Sequence, residues 1–140
     1  MKYKVMIVED QTMPRELFEL RIQTSELFEL ALSIDNAALA DVYCLRFPVD
    51  LILMDVVTRD GESGLDAAER IKHAFPQIKI IIVTSMPECS YLSRAQEIGV
   101  ESFWYKEEQR ESLLDVMERM SSIVSSPMWA MRNVLFFKSP

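Results

Sequence analysis

The stretch Leu51-Ile52-Leu53-Met54-Asp55 decides how this chain folds, because four apolar residues run directly into a carboxylate. A short apolar run of this kind predicts a strand that is buried on both faces, as in a parallel sheet. Three more segments share the pattern, and each stops at a polar group. They are Val5–Val8 before Glu9 and Asp10, Ile80–Val83 before Thr84, and Phe103–Tyr105 before Lys106.

Polar groups that follow parallel strands lie at one edge of the sheet, where open α/β folds bind their ligands. We therefore expect the carboxylates of Glu9, Asp10 and Asp55 to lie close together. Three carboxylates repel one another unless a cation lies between them. Mg²⁺ binds through one or two carboxylates and keeps several waters, so these residues are predicted to hold Mg²⁺.

The same edge carries groups suited to phosphoryl transfer. Asp55 could act as the nucleophile and form an aspartyl phosphate, while Lys106 supplies positive charge and Thr84 a hydroxyl donor. An aspartate is ionised near neutral pH, so we expect no separate base. Taken singly, each residue is more often a turn, cap or surface residue. Their joint order along the chain is what favours the chemical interpretation.

Strand and helix patterns alternate along the chain, which predicts a parallel sheet with helices on both faces. Five βα units favour a doubly wound, flavodoxin-like (βα)5 sheet of order 2-1-3-4-5, whose switch point lies between the first and third strands. The predicted strands are Lys4–Val8, Phe28–Ile34, Leu51–Met54, Ile78–Val83 and Glu101–Tyr105. The predicted helices are Pro14–Thr24, Asp35 or Asn36 to Phe47, Leu65–Phe75, 88–98 and Glu108–Val124.

Helical periodicity predicts which side chains face the sheet. The first helix is expected to bury Leu17, Phe18 and Ile22, and the last helix carries an apolar stripe that could also serve as a homodimer face. That stripe consists of Leu113, Met117, Met120 and Val124.

Length and composition limit the possible classes of protein. The 140 residues, 49% hydrophobic and 26% charged, predict a single globular domain. The formal net charge of −7 makes direct nucleic-acid binding by this domain a poor prediction, because phosphate contacts need clustered Lys and Arg. The four apolar residues before Glu9 are too few for a signal peptide or a membrane span, so we expect a cytoplasmic protein with no membrane contact.

The order of the site residues resembles that of CheY-like response-regulator receiver domains, over residues 3 to about 124. That family has an acidic pair after the first strand, an aspartate after the third, Thr or Ser after the fourth and Lys after the fifth. The resemblance implies that Asp55 accepts phosphate from a sensor histidine kinase. It also implies Mg²⁺ ligation by Asp10, Asp55 and the Val57 carbonyl, with Glu9 acting through water, and a switch pair formed by Thr84 and Phe103.

The chain departs from this family pattern after Asp55. The segment Val56–Gly64 has no proline, and its last glycine comes one position later than usual, so the loop is expected to be one residue longer. Lys106 is followed by Glu107 instead of proline, as occurs in regulators with LuxR/NarL-type helix-turn-helix outputs. Val57 and Met86 would flank the route of an attacking water, and because both are apolar we expect slow autodephosphorylation.

The predicted division is a receiver domain over residues 1–124 and a C-terminal tail or linker over 125–140, rich in Met, Trp, Leu and Phe. The leading interpretation is a signalling switch that is not an enzyme in the usual sense and controls transcription through a DNA-binding domain outside this chain. A stand-alone receiver and a pseudo-receiver that only binds proteins remain alternative interpretations.

A haloacid-dehalogenase-type phosphatase is disfavoured because it needs an aspartate where Val57 stands. A flavodoxin is disfavoured because the Glu9–Met13 loop is acidic.

Overall fold

The computed structural model of the chain describes residues 2–85, 89–106 and 113–121. The strands are β1 Tyr3–Val8, β2 Phe28–Ile34, β3 Leu51–Asp55, β4 Lys79–Thr84 and β5 Ser102–Tyr105. The helices within these ranges are α1 Thr12–Gln23, α2 Ala40–Arg46, α3 Gly64–Ala74, α4 Cys89–Ile98 and α5 Leu113–Ser121. The strands form one parallel sheet in the order β2-β1-β3-β4-β5, which confirms the predicted flavodoxin-like order.

The strand order fixes which face of the sheet each connecting helix covers. Parallel crossovers are right-handed, so a reversal in the direction of winding moves the helices to the opposite face. The chain goes outward from β1 to β2, and then crosses back to β3, β4 and β5. Accordingly, α1 contacts β1 and β2, whereas α2 contacts α3 and α3 contacts α4. The predicted double winding is therefore confirmed.

The centre of the sheet is buried, as the apolar runs predict. Val5–Val8 and Ile80–Val83 have no solvent exposure, and Leu51–Met54 are at most 2% exposed. Strands covered on both faces need apolar side chains at every position, which explains why these segments show runs instead of alternation.

The prediction for the inner face of α1 was wrong at Leu17. Phe18 and Ile22 are buried against the sheet, but Leu17 is 47% exposed. Successive helix residues lie 100° apart, and the sheet covers only the stripe that holds Phe18 and Ile22. Leu17 instead lies on a second, solvent-facing apolar stripe with Met13 and Leu20.

Several predicted boundaries shift by one or two residues. The helix expected from Asp35 or Asn36 begins as a 3₁₀ turn over Ala37–Leu39, and the Asn36 side chain accepts a hydrogen bond from the Ala38 amide at 2.8 Å. Helix α4 ends before Gly99, whose φ of 90° lies in the left-handed region that glycine favours at helix ends.

The described part of α5 buries Leu113, Met117 and Met120 as predicted. The rest of that predicted helix, including Val124, lies outside the described residues, as do Met86, Glu107 and the tail 125–140. Within the described part of the chain, no helix is long and apolar enough to cross a membrane.

Candidate functional site

Three carboxylates meet where β1 and β3 end. These strands are neighbours, with Val8 paired to Met54, so Glu9 and Asp55 emerge side by side. One carboxylate oxygen from each of Glu9, Asp10 and Asp55 lies within 4.8 Å of the other two. Glu9 is fully buried and Asp55 is 8% exposed, so water screens their mutual repulsion poorly. The predicted acidic cluster is present.

Lys106 supplies the positive charge that this cluster needs. The residue follows β5, and its Nζ lies 2.6 Å from Glu9 Oε1 and 3.3 Å from Asp55 Oδ2. Its backbone amide donates to the Thr84 carbonyl at 2.8 Å, which ties the end of β5 to the end of β4. The main chain of Lys106 is therefore held at the end of β4, and its long side chain extends to the carboxylates at the ends of β1 and β3.

The carboxyl of Asp55 is held by its surroundings in two ways. Asp55 Oδ1 accepts a hydrogen bond from the Val56 amide at 2.8 Å, which leaves Oδ2 free to face Lys106.

Burial, and then the neighbouring Glu9 carboxyl, raise the pKa of Asp55 to about 7, while Lys106 lowers it. The expectation that Asp55 is fully ionised near neutral pH is therefore wrong without a cation. A divalent cation would favour the charged form, so its binding and the ionisation of Asp55 are linked.

The other predicted residues border one open cleft of about 860 Å³. Asp10, Asp55, Val57, Thr84 and Lys106 line this cleft. Glu9 is fully buried beside it. The phosphoacceptor, metal and charge-compensating candidates therefore lie together at one open cleft.

Phe103 lies on the strand behind this cleft and is 1% exposed. Its neighbour Trp104 points to the opposite face of β5, toward α1, where its ring packs edge-on against Phe18 with centroids 6.4 Å apart. An inward movement of Phe103 would therefore start from a ring that is already covered.

The loop after Asp55 is closed by main-chain hydrogen bonds. Val57 and Ser63 form an antiparallel bridge, and the Gly64 amide donates to the Val56 carbonyl at 2.7 Å. A Cβ at Gly64 would lie 1.7 Å from the Asp55 carbonyl oxygen, so only glycine permits this approach. The loop turns through Asp60, whose φ of 62° is a left-handed conformation that aspartate tolerates.

Sequence reasoning missed three contributors to the site. The Arg15 guanidinium donates to the Glu9 carbonyl at 3.2 Å, and the Gln11 amide donates to Glu9 Oε2 at 3.2 Å. Thr58, in the loop after Asp55, is buried and hydrogen-bonded to Ala37, 21 positions away. The acidic opening Glu9-Asp10-Gln11 was a signal for the first two, but no local pattern indicates the partners of Thr58.

The fold and the site together define a class of protein. The chain matches the response regulator receiver domain family over residues 5–118, and it belongs to that family. Receiver domains of response regulators interact with histidine kinases, bind Mg²⁺ at an acidic pocket and generally act as signalling modules without enzymatic activity.

Two relatives of this chain come from Staphylococcus aureus. The chain is 28% identical over 111 residues to the oxygen regulatory protein NreC of Staphylococcus aureus strain JH9, which covers 79% of this chain and 51% of that protein. The chain thus spans about half the length of the curated relatives it matches. A LuxR-family DNA-binding response regulator from Staphylococcus aureus superposes with a TM-score of 0.76 at 26% identity, covering 84% of this chain and 97% of that one.

A more distant structure supports the fold alone. The CheY-like receiver domain protein from Methanospirillum hungatei JF-1 gives a TM-score of 0.73 at 18% identity, covering 86% of this chain and 92% of that chain.

Proposed function

We propose that this chain is a phosphorylatable receiver that accepts a phosphoryl group on Asp55. The observation that carries the proposal is the contact of Lys106 Nζ with both Glu9 and Asp55 inside an acidic cluster that borders an open cleft. A lysine between two carboxylates leaves a net negative site, which suits a cation and a transferring phosphoryl group more than an apolar ligand.

The residues fit Mg²⁺. Ligands of one Mg²⁺ ion lie 2.0–2.1 Å from it, so opposite ligands are about 4 Å apart. The carboxylate oxygens of Asp10 and Asp55, within 4.8 Å of each other, need only small movements to reach such a spacing. Asp10 and Asp55 would be direct ligands with the Val57 carbonyl, and Glu9 would act through water. The bound ion would neutralise charge on the phosphoryl oxygens.

The reaction would be an in-line displacement at phosphorus. An Asp55 carboxylate oxygen forms the new O–P bond, while the N–P bond of a phosphohistidine breaks and its electron pair stays on the histidine nitrogen. The Lys106 ammonium compensates the charge that the phosphoryl oxygens bring. The Thr84 hydroxyl donates a hydrogen bond to one of these oxygens. Its movement toward them would change the packing beside Phe103 and so report phosphorylation to the β4–β5 side of the domain.

The partner would be a sensor histidine kinase docking beside the cleft. Met13, Leu17 and Leu20 of α1 line the cleft and expose 83%, 47% and 57% of their surface. An exposed apolar stripe of this kind is typical of a protein interaction surface, and it adjoins the nucleophile that a phosphohistidine must reach. A cytoplasmic location goes with such a partner.

The output would be transcription, controlled by a DNA-binding domain outside this chain, with homodimerisation as a possible step in signalling. The similarity to NreC and to a LuxR-family regulator supports this proposal, and so does the span of about half of NreC. In this division, residues 1–124 form the receiver and 125–140 lead toward the output domain. A stand-alone receiver is the second candidate, because the described residues already contain the five-stranded sheet and the acidic cluster.

The test is incubation with acetyl phosphate and Mg²⁺ followed by intact mass measurement. We expect one phosphoryl mass on the unmodified chain and none on Asp55→Asn. The matched control is Asp60→Asn, which removes an exposed carboxylate from the same loop and tolerates the left-handed conformation there. Equal labelling of Asp55→Asn and the unmodified chain would refute the proposal.

A further inference from the structure

Thr58 is a buried residue between exposed neighbours in the loop after Asp55. The residue is 2% exposed, whereas its neighbours Val57 and Arg59 are exposed. Its Oγ1 accepts a hydrogen bond from the Ala37 amide at 2.9 Å and donates one to the Glu62 carbonyl at 2.9 Å. The first bond joins the loop to a residue 21 positions away and the second closes the loop on itself, so this hydroxyl acts as a bridge.

The main chain of Thr58 is fixed as firmly as its side chain. Its amide donates to the Glu62 carbonyl at 2.9 Å, and its carbonyl accepts from the Gly61 amide at 3.0 Å. The Val57–Thr58 peptide unit is planar and trans, so its carbonyl points opposite to its N–H. The bond from the Thr58 amide to Glu62 therefore turns the Val57 carbonyl away from the loop interior.

A second anchor lies at the next residue. The Arg59 amide donates to the Asp35 carbonyl at 3.0 Å, and its guanidinium Nε lies 2.7 Å from Asp35 Oδ2. Asp35 and Ala37 both follow β2, which is the edge strand beyond β1. The loop after β3 is thus fastened to the loop after β2, across the end of the strand that carries Glu9.

We infer that Thr58 is a positioning residue that holds the Val57 carbonyl in place for the cation at Asp10 and Asp55. The inference rests on the proposed function, in which that carbonyl is a metal ligand. The sequence predicts that this loop is one residue longer than usual, which would make such a bridge useful. A longer loop has more conformations to lose, and the Thr58 hydroxyl together with Arg59 removes that freedom before the cation binds.

The test compares Mg²⁺ affinity among variants of the full chain. Trp104 lines the cleft and can report binding by its fluorescence once Trp129 is replaced by Phe. We expect Thr58→Val, which keeps the shape and loses the hydroxyl, to weaken Mg²⁺ binding about 10-fold to 100-fold, as is usual for groups that orient metal ligands. Thr58→Ser keeps both hydrogen bonds and should bind within about twofold of the unmodified chain.

Two further variants separate positioning from general stability. Ser63→Ala removes the helix cap that accepts from the Asp66 amide in the same loop, and it should leave Mg²⁺ affinity unchanged. Arg59→Gln removes the exposed second anchor and should weaken binding severalfold with no change in the unfolding midpoint. If Thr58→Val is too unstable to titrate, Arg59→Gln and Thr58→Ser decide the question.

Phosphorylation by acetyl phosphate gives an independent readout. The rate for Thr58→Val should be low at limiting Mg²⁺ and recover at saturating Mg²⁺, as expected for an orientation defect. Unchanged affinity in both Thr58→Val and Arg59→Gln would overturn the inference, as would an equal loss in Thr58→Ser or Ser63→Ala. Failure of the proposed function is distinguishable, because the unmodified chain would then bind no Mg²⁺ and gain no phosphoryl group.

Discussion

At the scale of single residues, the central feature is a carboxylate placed where its charge is unfavourable. Asp55 is buried beside Glu9, and its pKa rises from 3.8 to about 7 even with Lys106 at 3.3 Å. The carboxylates of this site repel each other, and a bound cation, alone or together with a phosphoryl group, would reduce that repulsion. The same residues that destabilise the empty site are therefore those that favour its occupation.

The raised pKa has a direct consequence for stability without metal. The folded chain binds the Asp55 proton more tightly than the unfolded chain, so its contribution to stability falls as pH rises from about 4 to about 7. Asp55→Asn cannot ionise and escapes this loss. We expect it to raise the free energy of unfolding by about 1–3 kcal/mol more at pH 8 than at pH 5.

Urea unfolding in EDTA at the two pH values measures this difference. Asp60→Asn serves as the control, because it removes an exposed carboxylate from the neighbouring loop. A gain for Asp55→Asn that is the same at both pH values would show that burial does not perturb this carboxyl.

The apolar side chain of Val57 leads to a prediction about the lifetime of the phosphorylated state. Its side chain is 47% exposed at the cleft and offers no hydrogen bond to an attacking water. We expect Val57→Asn to speed phosphate loss roughly tenfold, since an amide can orient that water. The control is Val42→Asn, at an exposed valine of α2 that does not line the cleft. An unchanged decay in Val57→Asn would contradict the explanation.

At the scale of elements, strands were easier to predict from sequence than helix faces and loops. Runs such as Leu51–Met54 are short and apolar at every position, which favours a strand covered on both faces, and β3 was predicted to within one residue. In α1 the periodicity allowed two adjacent apolar stripes, and only the sheet decides between Phe18 and Leu17. The bond from the Ala37 amide to Thr58 joins loops far apart in sequence, and no local pattern contains it.

Leu17 of α1, which was predicted to be buried but is exposed, allows a test of the docking surface. Leu17→Asp should slow transfer from a phosphorylated histidine kinase about tenfold or more, because apolar contacts at the centre of an interface carry most of its binding energy. Phosphorylation by acetyl phosphate should be unchanged, since this donor needs no protein surface. Leu45→Asp, at an exposed leucine of α2, should affect neither reaction. Loss of both reactions in Leu17→Asp would contradict the assignment.

At the scale of the whole molecule, topology brings distant residues to one place. The order β2-β1-β3-β4-β5 puts the ends of β1 and β3 side by side, and Lys106 reaches Glu9 across 97 positions of sequence. This convergence could be predicted, because every parallel strand delivers its carboxyl end to the same edge. The consequence of that convergence, a pKa near 7 for Asp55, could not, because it depends on burial that only the packed fold creates.

Occupation of this site should stabilise the entire domain. A ligand at a hundredfold excess over its Kd adds about 2.7 kcal/mol, which corresponds to roughly 10 °C for a domain of this size. We expect Mg²⁺ to raise the Tm of the unmodified chain by such an amount and to leave Asp10→Asn nearly unchanged. An equal rise in both would place the cation elsewhere.

The most direct test of the central claim is to locate the phosphoryl group chemically. Borohydride reduces an aspartyl phosphate to homoserine, which peptide mass spectrometry identifies by position. After treatment with acetyl phosphate and Mg²⁺, we predict homoserine at position 55 and at no other aspartate. Homoserine at another position, or none at position 55 under conditions where a control receiver is labelled, would contradict the account.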